Sequence, residues 1–187
     1  MNEANATTFY RAFWETMARE WSGIDVLRID KFLLLVRRYL AVGFRYCRAR
    51  KWHRTMVDGL LLRTLEQTVL DPRNQKMPCG VRFQLADIWV EELDKVFSGG
   101  AGDDSGGGKE SESGGKVQVR AETLELLVRP WETMARDGVQ KIWRKKALEV
   151  LADEKWREWG YEESVNRKKD EGEESNGEEE GEWSGFD

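Results

Sequence analysis

Apolar residues recur along this chain at the spacing of helices rather than strands. From Phe9 to Trp21, Phe9, Phe13 and Met17 return every four positions with Ala12 beside them, which predicts an amphipathic helix stopped by Ser22 and Gly23. Asp25 is placed to accept the free N–H groups of a new helix start, and the periodic run after it continues to about Lys51, making this the longest element. A third helix is expected over Thr55 to Val69, ending before DPRNQKMPCG, where Pro72, Pro78 and Gly80 interrupt regular hydrogen bonding. Val81, Leu85, Ile88, Trp89, Leu93 and Val96 then mark a fourth helix with one buried face.

Residues 98–115 contain eight glycines and no large apolar side chain, so they cannot offset the entropy of being ordered and are expected to form a flexible linker. A second helical block follows. In it Leu124, Leu127 and Val128 precede Pro130, and Val139, Ile142, Trp143, Ala147 and Leu151 resume the helical period. The expected organisation is a first block over 1–97, the linker over 98–115, closing helices of the same domain over 116–160, and a disordered acidic tail over 161–187. Alternating strand patterns are absent, so the fold class is all-α, either an irregular bundle or a curved stack of the HEAT or armadillo kind. WETMAR occurs at Trp14–Arg19 and Trp131–Arg136, and EWSG at Glu20–Gly23 and Glu182–Gly185. Their spacing is far from a solenoid period, which leaves only a hint of related helices.

Composition adds a division of charge. The formal net charge is −5 and mean hydropathy −0.69, yet residues 162–187 hold eleven acids against Arg167, Lys168 and Lys169. The remainder is therefore mildly basic, and the overall acidity says little about its partners. Two distant cysteines, Cys47 and Cys79, support neither a disulfide framework nor a thiolate metal site and fit a reducing compartment. No apolar run is long enough for a bilayer, and MNEANATT is not a signal peptide, so a membrane partner is not expected.

Catalytic chemistry finds no support. The single histidine, His53, lies in a basic stretch without a Ser or Cys motif to complete a triad. The glycine-rich stretch lacks the GK[ST] ending of a phosphate loop. Glu91 and Glu92 are helix neighbours that point about 100° apart and do not converge on one atom. No catalytic residue, metal, cofactor or small-molecule substrate is expected.

The segment from Arg28 to Arg54 is the most usable constellation, with nine Lys or Arg against Asp30 alone. Phe32, Leu35, Val36, Tyr39, Leu40, Gly43, Tyr46 and Cys47 line one face of its helix; Arg37, Arg38, Arg45 and Arg48 line the other, with Leu34 and Ala41 between them. These arginines, with Arg50, Lys51 and Arg54, are the candidate contacts to RNA or to a ribonucleoprotein particle, because guanidinium groups pair bidentately with phosphates and release counterions. Some of them have a structural alternative, ion pairs with Glu66, Glu91 or Glu92.

EWSGID, Arg28 and DKFLLLVRR within Phe9–Trp52, together with GVRFQLADIWVEELDKV over Gly80–Val96, closely resemble the ribosomal RNA processing protein 1 family. Residues 121–159 resemble its closing helices, and Gln84 departs from a histidine expected in many members. The resemblance implies a helical protein of the nucleus and nucleolus, without an active site, acting in rRNA processing. Its implied partner is the large-subunit preribosomal particle, with its assembly factors, ribosomal proteins and pre-rRNA. A helical protein-binding adaptor without RNA contact is the alternative function. Members normally carry helices before the point matching Phe9, so this chain is expected to be a shortened member with part of its first two helices uncovered.

Overall fold

A computed structural model describes residues 3–99 and 119–161. Most of the expected linker, the expected tail beyond Tyr161 and the second EWSG lie outside the described residues. Among those described there are helices and turns but no strand. Helix α1 covers Glu3–Glu20, and Asp25 accepts a 2.7 Å hydrogen bond from the Leu27 N–H to cap a short 3-10 turn, Val26–Arg28. From that turn α2 starts at Ile29 and runs to Ala49. A π-helix, Met56–Leu62, continues into the short α3, Arg63–Glu66. Beyond the loop come α4 (Cys79–Phe97), α5 (Ala121–Asp137), α6 (Lys141–Leu151) and α7 (Lys155–Glu158).

The helices form two layers. In one, α4 lies between α2 and α6. The pairs Arg37–Glu91 and Trp52–Phe97 advance together along α2 and α4, and Arg82–Trp143, Asp87–Lys146 and Asp94–Lys155 do so along α4 and the α6–α7 segment. These helices therefore run in one direction. The second layer holds α1, the π-helix with α3, and α5; Arg129–Glu66 and the Val139 N–H to Pro72 carbonyl bond advance together there as well. Parallel layers joined by returning helices are the construction of an α-solenoid, in which each helix pair buries its apolar side on its neighbours.

This position explains several departures from the simple periodic reading. Because α4 has neighbours on both flanks and behind it, burial extends well beyond one face, to Arg82, Ala86, Val90, Glu92 and Phe97. Leu60, Leu61 and Leu62 are all buried, because the element carrying them touches α1, α2 and α5. Three consecutive inward side chains do not fit the narrow stripe of an α-helix, and the observed π turn is wider. On α1 the buried positions are Ala6, Tyr10, Trp14 and Met17, while Phe9 and Ala12 are exposed. The inward stripe is thus turned by one residue from the expected one, since burying Trp14 removes more apolar surface than burying Phe9.

In the closing helices Pro130 does not interrupt α5, which passes through it with the ring buried. Of the expected inward positions Trp143 and Ala147 are buried, whereas Val139 and Ile142 are exposed, and Val150 points inward with the first two. The two WETMAR copies occupy α1 and α5 of the same layer, each burying its Trp and Met. They are therefore equivalent helices in the stack. Two close approaches lock the layers. A Cβ on Gly43 would lie 2.7 Å from the Tyr10 hydroxyl and 3.0 Å from Leu61 Cδ1, and the Phe13 and Tyr39 rings stack at 3.6 Å between α1 and α2.

Candidate binding surface

The seven candidate cations separate into distinct environments. Arg37 reaches across to α4, its Nη1 donating to Glu91 Oε1 at 2.7 Å and to Glu92 Oε1 at 3.1 Å. Lys95 Nζ donates to the same two carboxylates at 2.7 and 2.8 Å, so Glu91 and Glu92, expected not to converge, do meet on these two nitrogens because their side chains bend towards the cations between them. Glu92 is buried, so this four-residue network satisfies a carboxylate that would otherwise be costly to desolvate. Hydrogen bonds from Arg37 and then Lys95 hold the Glu91 carboxyl down to about 2, and the bond to Glu91 raises the Arg37 pKa. The structural alternative thus holds for Arg37.

Arg38 and Arg45 remain on the exposed flank of α2, and Arg48 is half-buried. Arg50 folds back with its guanidinium carbon 3.5 Å from the centre of the Tyr46 ring, a cation–π contact. Lys51 and Trp52 both adopt left-handed backbone, with φ of 54° and 55°. That turn drives the Trp52 ring into the core against Phe97 while leaving the Lys51 side chain exposed. Arg54 lies apart from the α2 flank, in an open groove of about 540 Å³ that it shares with Glu122, Glu125, Arg129 and Tyr161.

Two errors of the helical wheel bear on this surface. Ala41, expected among the arginines, is buried, as is Phe44, which had no assigned place; Leu35, expected on the buried face, is exposed. Leu34 and Val42 are exposed too, so the outer flank of α2 is a mixed apolar and basic stripe rather than a purely basic face.

Arg82 has a structural part that the periodic pattern did not reveal. Its Nε donates to the Val69 carbonyl at 2.9 Å, and its Nη2 donates to the carbonyls of Asp71 and Asn74 at 2.5 and 2.8 Å. The guanidinium also packs 3.8 Å from the Trp143 ring centre. One side chain therefore ties the loop between α3 and α4 to both α4 and α6.

His53 is exposed, with Nδ1 2.8 Å from Thr55 Oγ1. Cys47 is a buried free thiol whose pKa burial pushes up to about 12. Among the described residues no group of three His, Cys, Asp or Glu is arranged to hold a metal, and no helix is long and apolar enough to cross a membrane.

Comparison with known proteins places this helical stack. The model of a family described as "Nucleolar protein, Nop52" matches residues 1–184. The chain belongs to the Nop52 family. Among curated relatives, the human ribosomal RNA processing protein 1 homolog B is 41% identical over 95 residues, 51% of this chain and 12% of that protein. The mouse homolog A is 43% identical over 88 residues, 47% of this chain and 17% of the relative. The Drosophila melanogaster homolog is 30% identical over 98 residues, 52% of this chain and 14% of the relative. These matches thus span less than a fifth of each of these three relatives. Nop52 proteins are described as nucleolar, which agrees with the nuclear and nucleolar location expected from the sequence.

Proposed function

We propose that this chain is a non-catalytic ribosome biogenesis factor that takes part in rRNA processing and in assembly of large-subunit precursors, through contacts to both protein and RNA. Membership of the Nop52 family, with relatives named for ribosomal RNA processing, carries this reading. The geometry adds a surface suited to it. Arg38 and Arg45 on α2, with Arg48, Arg50, Lys51 and Arg54 at and beyond its end, are the proposed contacts; Arg37 is engaged by Glu91 and Glu92 instead. Cations spread from the middle of α2 to the groove at Arg54 attract a phosphate backbone and release its counterions on binding.

The test is to replace the six by Gln in a tagged chain and follow it by affinity purification and sedimentation of the extract. Retention in large-subunit precursors is expected to weaken, and to weaken further as salt rises. Unchanged retention at every salt concentration by a folded variant would remove these residues from the contact. The second reading, a helical adaptor without RNA contact, is favoured by the apolar residues interleaved with Arg38 and Arg45. It requires the isolated chain to show no steep salt dependence with RNA.

A further inference from the structure

The chain reverses between α5 and α6 through a turn that is held from several sides. Gly138 is buried, and a Cβ there would collide with the Met134 carbonyl oxygen. The Val139 N–H donates to the Pro72 carbonyl at 3.3 Å, and Arg144 Nη1 donates to the Gly138 and Val139 carbonyls at 2.6 and 3.3 Å. The loop between α3 and α4 is thereby seated against the turn, and Arg82 holds that loop through three of its carbonyls. Trp143 Nε1 donates to Cys79 Sγ at 3.4 Å, which ties the start of α6 to the start of α4.

Cations dominate what this junction shows to solvent. Arg73 from the loop, Arg136 from the end of α5, and Lys141 and Lys145 from the first turns of α6 are exposed, and Arg144 is half-buried. Against these five stand Asp71 and Asp137. Hydrogen bonds from Arg136, with the charges of Arg136 and then Arg73, hold the Asp137 carboxyl below its ordinary value, which sets Arg73 beside the turn. Asp71 Oδ1 accepts the Arg73 backbone N–H. Among the described residues Arg73, Lys141 and Lys145 make no ion pair, whereas Lys146, the next cation along α6, is held by Asp87 and Glu149. Lys141 and Lys145 are i,i+4 neighbours, about 5–6 Å apart on one side of the helix.

This surface lies at the opposite end of the stack from the cations that close α2. Trp52 meets Phe97 at the end of α4, whereas Trp143 meets Cys79 at its start. The 19 residues of α4 separate the two ends by about 28 Å at 1.5 Å per residue. Between them Arg37, Lys95, Lys146 and Lys155 are taken by carboxylates, so no free positive track joins the two surfaces. We propose that the α5–α6 turn and the loop facing it form a second contact for the phosphate backbone of RNA, made by Arg73, Lys141 and Lys145, with Arg136 and Arg144 raising the local positive potential. Unpaired cations on a rigid turn suit phosphate, because the backbone that carries them loses little freedom on binding and the RNA releases its counterions. The proposal rests on the reading of this chain as an RNA-contacting factor and adds to it a second RNA segment, held about one helix length from the first. An acidic protein segment would satisfy the same charges, and the experiment separates the two.

The experiment titrates the full chain into a fluorescent oligouridylate of about 20 nucleotides, read by anisotropy over a range of salt. Arg73→Gln with Lys141→Gln and Lys145→Gln is expected to weaken binding about fivefold or more at low salt. The slope of log affinity against log salt should become shallower by about 2, from three charges at roughly 0.7 each. Exchanging the cation type instead (Arg73→Lys, Lys141→Arg, Lys145→Arg) should keep binding within about twofold, since charge is what the phosphates meet. The six-cation variant at and beyond α2 should keep part of the binding, and both sets together should bind more weakly than either. None of the three side chains makes a hydrogen bond among the described residues, and a circular dichroism melt confirms that each variant folds. Unchanged affinity and slope in the triple Gln variant, binding abolished by the six-cation variant alone, or no binding by the unaltered chain would overturn the proposal. So would displacement of the RNA by an oligoglutamate of equal length at equal concentration, which assigns the surface to an acidic protein segment. Retention in large-subunit precursors is measured on its own, so loss of this second contact leaves the proposed function standing.

Discussion

Replacing Arg37 by Gln separates the structural arginine from its neighbour. The substitution keeps helix propensity close to that of Arg but deletes both charged hydrogen bonds to Glu91 and Glu92. The Glu92 side chain, 5% exposed, is left with Lys95 alone, whereas Glu91 can regain water because its side chain is 49% exposed. Exposed ion pairs contribute about 0–1 kcal/mol, and stripping a partner from a fully buried pair costs about 3–5 kcal/mol. With Arg37 itself 31% exposed and Lys95 retained, a loss of about 1–2 kcal/mol is expected, equivalent to a fall in Tm of roughly 2–8 °C for a chain of this size. Arg38→Gln, one residue away on the exposed flank, should change stability by less than about 0.5 kcal/mol.

The effect should also depend on pH. Glu91 has its pKa lowered from 4.5 to about 2 in the folded chain, so its ionic contribution is fully present above the unfolded value and is lost as pH falls from about 5 towards 2. The gap between wild type and Arg37→Gln should therefore be widest near neutral pH and narrow towards pH 2. Urea unfolding of both proteins across that range, with Arg38→Gln as control, measures it. A gap that is absent at pH 7, that stays constant with pH, or that Arg38→Gln reproduces would refute the argument.

Gly43→Ala should destabilise the fold by about 1–3 kcal/mol, read by thermal melting, because its Cβ would meet the Tyr10 hydroxyl and Leu61, outweighing Ala's better helix propensity. Lys51→Gly should be neutral or stabilising by up to about 1 kcal/mol in the same melt, since only glycine takes φ of 54° without strain. Arg82→Met should cost about 3 kcal/mol or more and speed amide exchange in the loop between α3 and α4, because three carbonyls lose their donor; unchanged exchange there would show that the loop holds itself.

Local information was sufficient for the class and for where most helices lie. Periodic apolar residues separated by Ser22–Gly23, Asp25 and the Pro72–Gly80 loop mark α1, α2 and α4, because helix starts and stops depend on capping groups and on residues that break hydrogen bonding within a few positions. The basic run from Arg28 to Arg54 was legible for the same reason, as was the possibility that an arginine pairs with Glu91 or Glu92. What a single helical wheel could not decide was which neighbours each helix has. The one-residue turn of α1 towards Trp14, the many-sided burial of α4 and the π turn that buries Leu60, Leu61 and Leu62 together all follow from packing against several elements at once. Likewise, nothing local distinguishes Arg37 from Arg38. The first faces α4 and is held by the buried Glu92 and the exposed Glu91, the second lies on the exposed flank of α2, and that difference of about 100° around one helix acquires meaning only when the second helix is in place.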